Sequence, residues 1–94
     1  MTDIIWGNGT KIISKDSFVL NVTHKKNGNK NRYSESEKII ISDADLPGLP
    51  HVREEWDEES LKSCVIDAFL KCEIEKIEEG RLVAKVSHSG AGGY

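Results

Sequence analysis

Ninety-four residues with 37% hydrophobic side chains, 31% charged side chains and a formal net charge of −3 describe one domain at most. The composition is too apolar for a disordered chain, and no run approaches the ~20 apolar residues that a membrane-crossing helix needs. The opening MTDIIWGNGT has no basic stretch followed by an apolar one. It does not read as a secretion signal, and the chain reads as cytoplasmic with no membrane partner.

Residues 3–15, DIIWGNGTKIISK, place two short apolar runs around Gly7-Asn8-Gly9, a local signal for a hairpin. This hairpin reads as an N-terminal extension, residues 1–15, of a domain covering residues 1–86. In SFVLNVTH, residues 17–24, Phe18, Leu20 and Val22 alternate with Ser17, Val19, Asn21 and Thr23, which predicts a strand with one buried face. A loop follows at Asn27-Gly28-Asn29, and EKIIIS, residues 37–42, predicts a second strand. Two prolines and a glycine make DADLPGLP, residues 43–50, a connector.

Asp57 is a suitable N-cap, and Glu58 and Glu59 suit the positive end of a helix dipole. At about 100° per residue, Leu61, Cys64, Val65, Ala68, Phe69 and Cys72 form one stripe, which predicts a helix over 57–71. Ile66 and Leu70 lie on another flank. With Trp56 and the acidic stretch EEWDEE they make a candidate face for a protein partner. The segment 73–79 fits either helix or strand, and a break near Lys71 or Cys72 followed by a hairpin is preferred. EEGR then reads as the turn before the alternating strand LVAKV, residues 82–86. Residues 87–94, SHSGAGGY, read as a flexible glycine-rich tail. The predicted fold is therefore α+β, a mixed sheet of four or more strands packed on one main helix.

Little in the sequence points to catalysis. His24, His51 and His88 show no metal-ligand spacing with Cys64 or Cys72, and Asp43, Asp45 and His51 match no standard metal loop. On one helix Cys64 and Cys72 would stand about 12 Å apart, too far for a disulfide, so both read as reduced. No phosphate-binding glycine loop occurs. The expectation is a non-enzymatic protein with no cofactor and no metal. The loop HKKNGNKNRY carries Lys25, Lys26, Lys30 and Arg32, no acid, and Tyr33 for stacking. These are the candidate contacts to nucleic acid, although a polyanion is not the expected partner of a chain whose remaining residues are acidic.

Gly92-Gly93 follows the last predicted strand. Glycine has no Cβ, so such a pair fits the narrow channel of an enzyme that activates or cleaves a C-terminus. With EEGRLVAKVSHSGAGG at its end, the chain resembles the ubiquitin-like β-grasp modifiers and sulfur carriers. The resemblance implies a β-grasp-like fold and a precursor from which a processing protease removes Tyr94. It further implies that the Gly93 carboxylate is adenylated by an activating enzyme, taken up by a cysteine of that enzyme, and passed through a conjugating enzyme to a target. The alternative is a small inhibitor or immunity protein of phage or mobile-element type, which occludes an inhibited target through Trp56, Ile66 and Leu70.

Overall fold

The structure is a computed structural model and describes residues 2–89. Its elements are β1 (Asp3–Ser14), β2 (Ser17–Lys25), β3 (Ser36–Asp45), a 3-10 turn at Arg53–Glu55, α1 (Glu58–Val65), β4 (Phe69–Glu78) and β5 (Arg81–His88). The strands close into a barrel in the order β1-β2-β3-β5-β4. All neighbours run antiparallel except β3 and β5, which are parallel. Closure leaves no sheet edge open. A five-stranded barrel of this order, with its helix between β3 and β4, has the topology of an OB-fold. That topology defines an architecture and no ligand.

Each strand sends alternate residues inward. Ile5, Phe18, Leu20, Ile39, Ile41, Leu70, Cys72, Ala84 and Val86 are fully buried. Leu46, Leu49, Trp56, Leu61, Cys64 and Val65, from the connector and α1, join the same core. The predicted α+β, β-grasp-like sheet packed on one main helix is thus replaced by a closed barrel in which an eight-residue helix adds to a mainly β core.

The first reason lies in residues 3–15. Asp3–Ser14 are not a hairpin extension but one twelve-residue strand that pairs with both β2 and β4. The hairpin turn falls later, at Lys15-Asp16, where Ser14 pairs with Ser17. Gly7 and Gly9 serve close approach instead of a turn. A methyl group at Gly7 would collide with the Asn21 carbonyl oxygen, and one at Gly9 with that of Val65. Register shifts between Trp6 and Gly7 and between Gly9 and Lys11 mark where the strand bends. Such a bend lets one long strand close against two neighbours.

The second reason is where α1 stops. Asp57 caps it as expected, its carboxylate accepting the Ser60 amide at 2.7 Å. The helix ends at Val65 instead of near Lys71. The Ile66 amide still donates to the Lys62 carbonyl, but the Asp67 amide donates to the Gly9 carbonyl of β1 at 3.0 Å. From Phe69 onward, FLKCEIEK alternates, sending Leu70, Cys72 and Ile74 inward. Phe69 to Cys72 satisfy the continuing helical stripe and a strand alternation at once. Pairing of Phe69–Ile74 with β1 closes the barrel and so selects the strand. The hairpin predicted at 78–81 is present, with Glu79 and Gly80 both at positive φ, as a two-residue primed turn requires. Among the described residues no helix is long and apolar enough to cross a membrane.

Candidate protein-binding groove

Alternation gives the barrel an outer face as well as a core. On β1, β2 and β3 that face carries an unusual mixture. Val19 of β2 pairs with Lys11 of β1 on one side and Lys38 of β3 on the other. Ile40 sits one position along from Ile39, which pairs with Leu82, and Arg81 precedes Leu82 at the start of β5. Lys11, Ile13, Val19, Lys38, Ile40 and Arg81 line a groove of about 430 Å³. Three of the six are cations, and none of the groove's lining residues, all among the described chain, is an acid. Ile13 is 45% exposed, one of three large apolar side chains that the described surface leaves open, with Val52 and Ile77. Arg81 also meets Glu79 at 3.5 Å on the exposed rim. No ion pair is recorded for Lys11 or Lys38 among the described residues.

The residues expected to form a partner face do not gather. Leu70 is fully buried inside the barrel, and Trp56 is buried with its Nε1 donating to the Pro50 carbonyl at 2.7 Å. The Arg53 guanidinium lies 4.9 Å over the Trp56 ring, so this tryptophan is held between the connector and a cation. Ile66 is half-buried against the core beside Glu59 and Lys62. The partner face through Trp56, Ile66 and Leu70 is corrected on this point, because strand formation at 69–78 turns Leu70 inward. Gly92, Gly93 and Tyr94 lie outside the described residues.

The basic loop between β2 and β3 is held in place. Asp3 accepts from the amides of Lys30 (2.9 Å) and Asn31 (3.1 Å), from Asn31 Nδ2 (3.2 Å) and from the Tyr33 hydroxyl (2.6 Å). The Tyr33 hydroxyl bond, followed by the Lys30 amide, holds the Asp3 carboxyl down at about 2. Burial, then the same carboxylate, pushes the Tyr33 phenol up to about 12. The Asn29 side chain acts as a short strand segment, accepting from the Ile4 amide and donating to the Ile4 carbonyl, both at 2.9 Å. Lys25, Lys26 and Arg32 share a shallow groove, and Lys30 faces a different one beside Asp3 and Tyr33. Lys25 Nζ is engaged by the Tyr33 carbonyl at 2.6 Å. Tyr33 is buried and presents no stacking face.

Both cysteines are free and buried. Burial pushes the Cys64 thiol up, and pushes Cys72 up to about 12. Asp43, Asp45 and His51 line a cleft of about 340 Å³ with Trp56. Among the described residues no group of three histidines, cysteines and acids is placed to hold a metal.

The groove was missed in the sequence because its residues come from four separate segments. Two local signs mark it: Val19 is an apolar residue on the polar face of β2, and Ile40 stands on the outer side of an Ile39-Ile40-Ile41 run. No family model, curated protein or solved structure matches this chain.

Proposed function

We propose that this chain acts by binding a partner protein, and that the contact surface is the outer face of β1, β2 and β3. The observation that supports this reading is the groove itself: Ile13, Val19 and Ile40 form an apolar floor, with Ile13 45% exposed, rimmed by Lys11, Lys38 and Arg81. An apolar centre with a polar rim is the layout of protein interfaces. A closed barrel offers no edge strand for pairing, so side chains on its outer face must carry the contact. This fits the occluding-inhibitor class and moves its contact surface away from the helix flank. The test is site-specific photocrosslinking in the native host. A photoreactive residue at position 13 or 40 captures one partner at a fixed mass, and one at position 52 does not. Equal capture at 13, 40 and 52, or capture at 52 alone, contradicts the reading.

A second reading rests on the tail. Strand β5 ends at His88, and Gly92-Gly93 follows within a few residues. With the β-grasp-like architecture replaced by a barrel, the modifier proposal stands on that glycine pair alone. Its test is a thioester adduct, read by mass, when the chain ending at Gly93 meets ATP and its activating enzyme.

A further inference from the structure

We infer that the groove on β1, β2 and β3 takes an extended acidic segment of the partner protein, with carboxylates on Lys11, Lys38 and Arg81 and aliphatic side chains on Ile13, Val19 and Ile40. The inference rests on the protein-binding reading above and adds the chemistry of the occupant.

Charge selects the sign. The chain carries 16 acids against 13 lysines and arginines, yet the groove collects three cations and no acid among its lining residues. Lys11 and Lys38 flank Val19 on neighbouring strands, so two like charges face one apolar side chain. Like charges drawn together on a face cost stability unless something of opposite charge meets them. Glu79 meets Arg81 at 3.5 Å, and its side chain is 86% exposed on the rim.

Spacing selects an extended chain. Lys11 and Lys38 lie two strand separations apart, roughly 10 Å. In an extended peptide, residues i and i+2 on one face stand about 7 Å apart and i and i+4 about 13 Å. The flexible four-carbon lysine stems span the difference, so an alternating acidic–aliphatic segment can place carboxylates on both cations. Its aliphatic residues then cover Ile13, Val19 and Ile40.

The lining selects protein over nucleic acid. Single strands are held by aromatic rings on which bases stack, together with cations for the backbone. None of the groove's lining residues is aromatic, and its apolar surface is branched aliphatic.

The experiment measures fluorescence anisotropy with the full chain and three probes: an alternating Glu–Val decapeptide, an alternating Lys–Val decapeptide and a ten-nucleotide oligothymidine. The Glu–Val peptide should bind. Its affinity should fall about tenfold or more in a Lys11→Glu/Lys38→Glu variant, and should weaken as salt rises to 0.15 M, where charges are screened over about 8 Å. Lys11 and Lys38 are exposed, so unchanged thermal melting shows that the variant folds, and Lys11→Arg/Lys38→Arg should bind as the parent does. Tighter binding of the Lys–Val peptide or of the oligonucleotide overturns the inference. So does a Glu–Val affinity indifferent to both charge reversal and salt. The photocrosslinked partner separates the two levels. If charge reversal leaves crosslinking at position 13 intact, the acidic-segment inference fails alone. If position 13 never crosslinks in the parent chain, the protein-binding reading fails with it.

Discussion

The carbonyl of Gly9 accepts the amide of Asp67 at 3.0 Å, so the bend in the first strand and the exit from the helix are one structural feature. Asp67 sits at a φ of 60°, which an aspartate tolerates better than most residues. The bond turns the chain out of α1 and delivers Phe69 to its place opposite Asn8. Side-chain room at Gly9 is therefore a condition for barrel closure. Gly9→Ala should cost about 3 kcal/mol, the upper end for overpacking, because the obstructing atom is a backbone oxygen that cannot rotate away. Gly28→Ala, in open space at a φ of 99°, should cost only about 1 kcal/mol, for backbone strain alone. Urea midpoints measure the difference, and hydrogen exchange at the Asp67 amide should accelerate in Gly9→Ala only.

Leu70 and Ile66 separate in the same way. Leu70 is fully buried between β1 and β5, so Leu70→Ala should lose about 2–5 kcal/mol. Ile66 is half-buried at the end of α1, and Ile66→Ala should lose about half as much. Equal losses would place both residues in the same environment, contrary to the barrel register.

These two residues show how far local pattern reaches. The alternation of residues 17–24, the Asp57 cap and the Glu79-Gly80 turn are set by near neighbours, and all three are legible in the sequence. Gly7 and Gly9 carry a local hairpin signal, but their role is set by Asn21 and Val65, which are distant in the chain. Phe69 to Cys72 fits two periods at once, and pairing with β1 decides for the strand. The groove has no contiguous signature at all, since Lys11, Val19, Lys38 and Arg81 meet through strand register.

Acid stability should depend on Asp3. Its folded carboxyl is held down at about 2, below the ordinary value, so its contribution is fully present above the unfolded value near 3.9. It is lost as pH falls from there through the folded value. Removing the Tyr33 hydroxyl takes away the largest cause of the depression. Tyr33→Phe should cost about 1.5–3 kcal/mol at neutral pH, as for a hydrogen bond to a charged group. It should also shrink the acid limb of a melting-temperature profile, because the folded carboxyl then lies closer to its unfolded value and less stability is left to lose. An unchanged acid limb would remove Asp3 as its source.

The two thiols should be silent in the native state. Cys64 and Cys72 are buried and both are shifted toward the protonated form. A thiol reagent at pH 8 should label neither in the folded chain and both in denaturant. Rapid labelling of Cys72 without denaturant would mean that β4 leaves the barrel on the experimental timescale.

The central claim is that the outer face of β1, β2 and β3 binds a partner protein. Ile13, Val52 and Ile77 are the large apolar side chains left open on the described surface, and only Ile13 belongs to the groove. The most direct measurement compares recovery of the crosslink-identified partner by Ile13→Asp, Val52→Asp and Ile77→Asp, each first shown to melt as the parent does. The account predicts that Ile13→Asp alone loses the partner, by tenfold or more if position 13 is a hot spot worth about 1.4 kcal/mol or above. Full recovery by Ile13→Asp, with loss in Val52→Asp or Ile77→Asp, would contradict it.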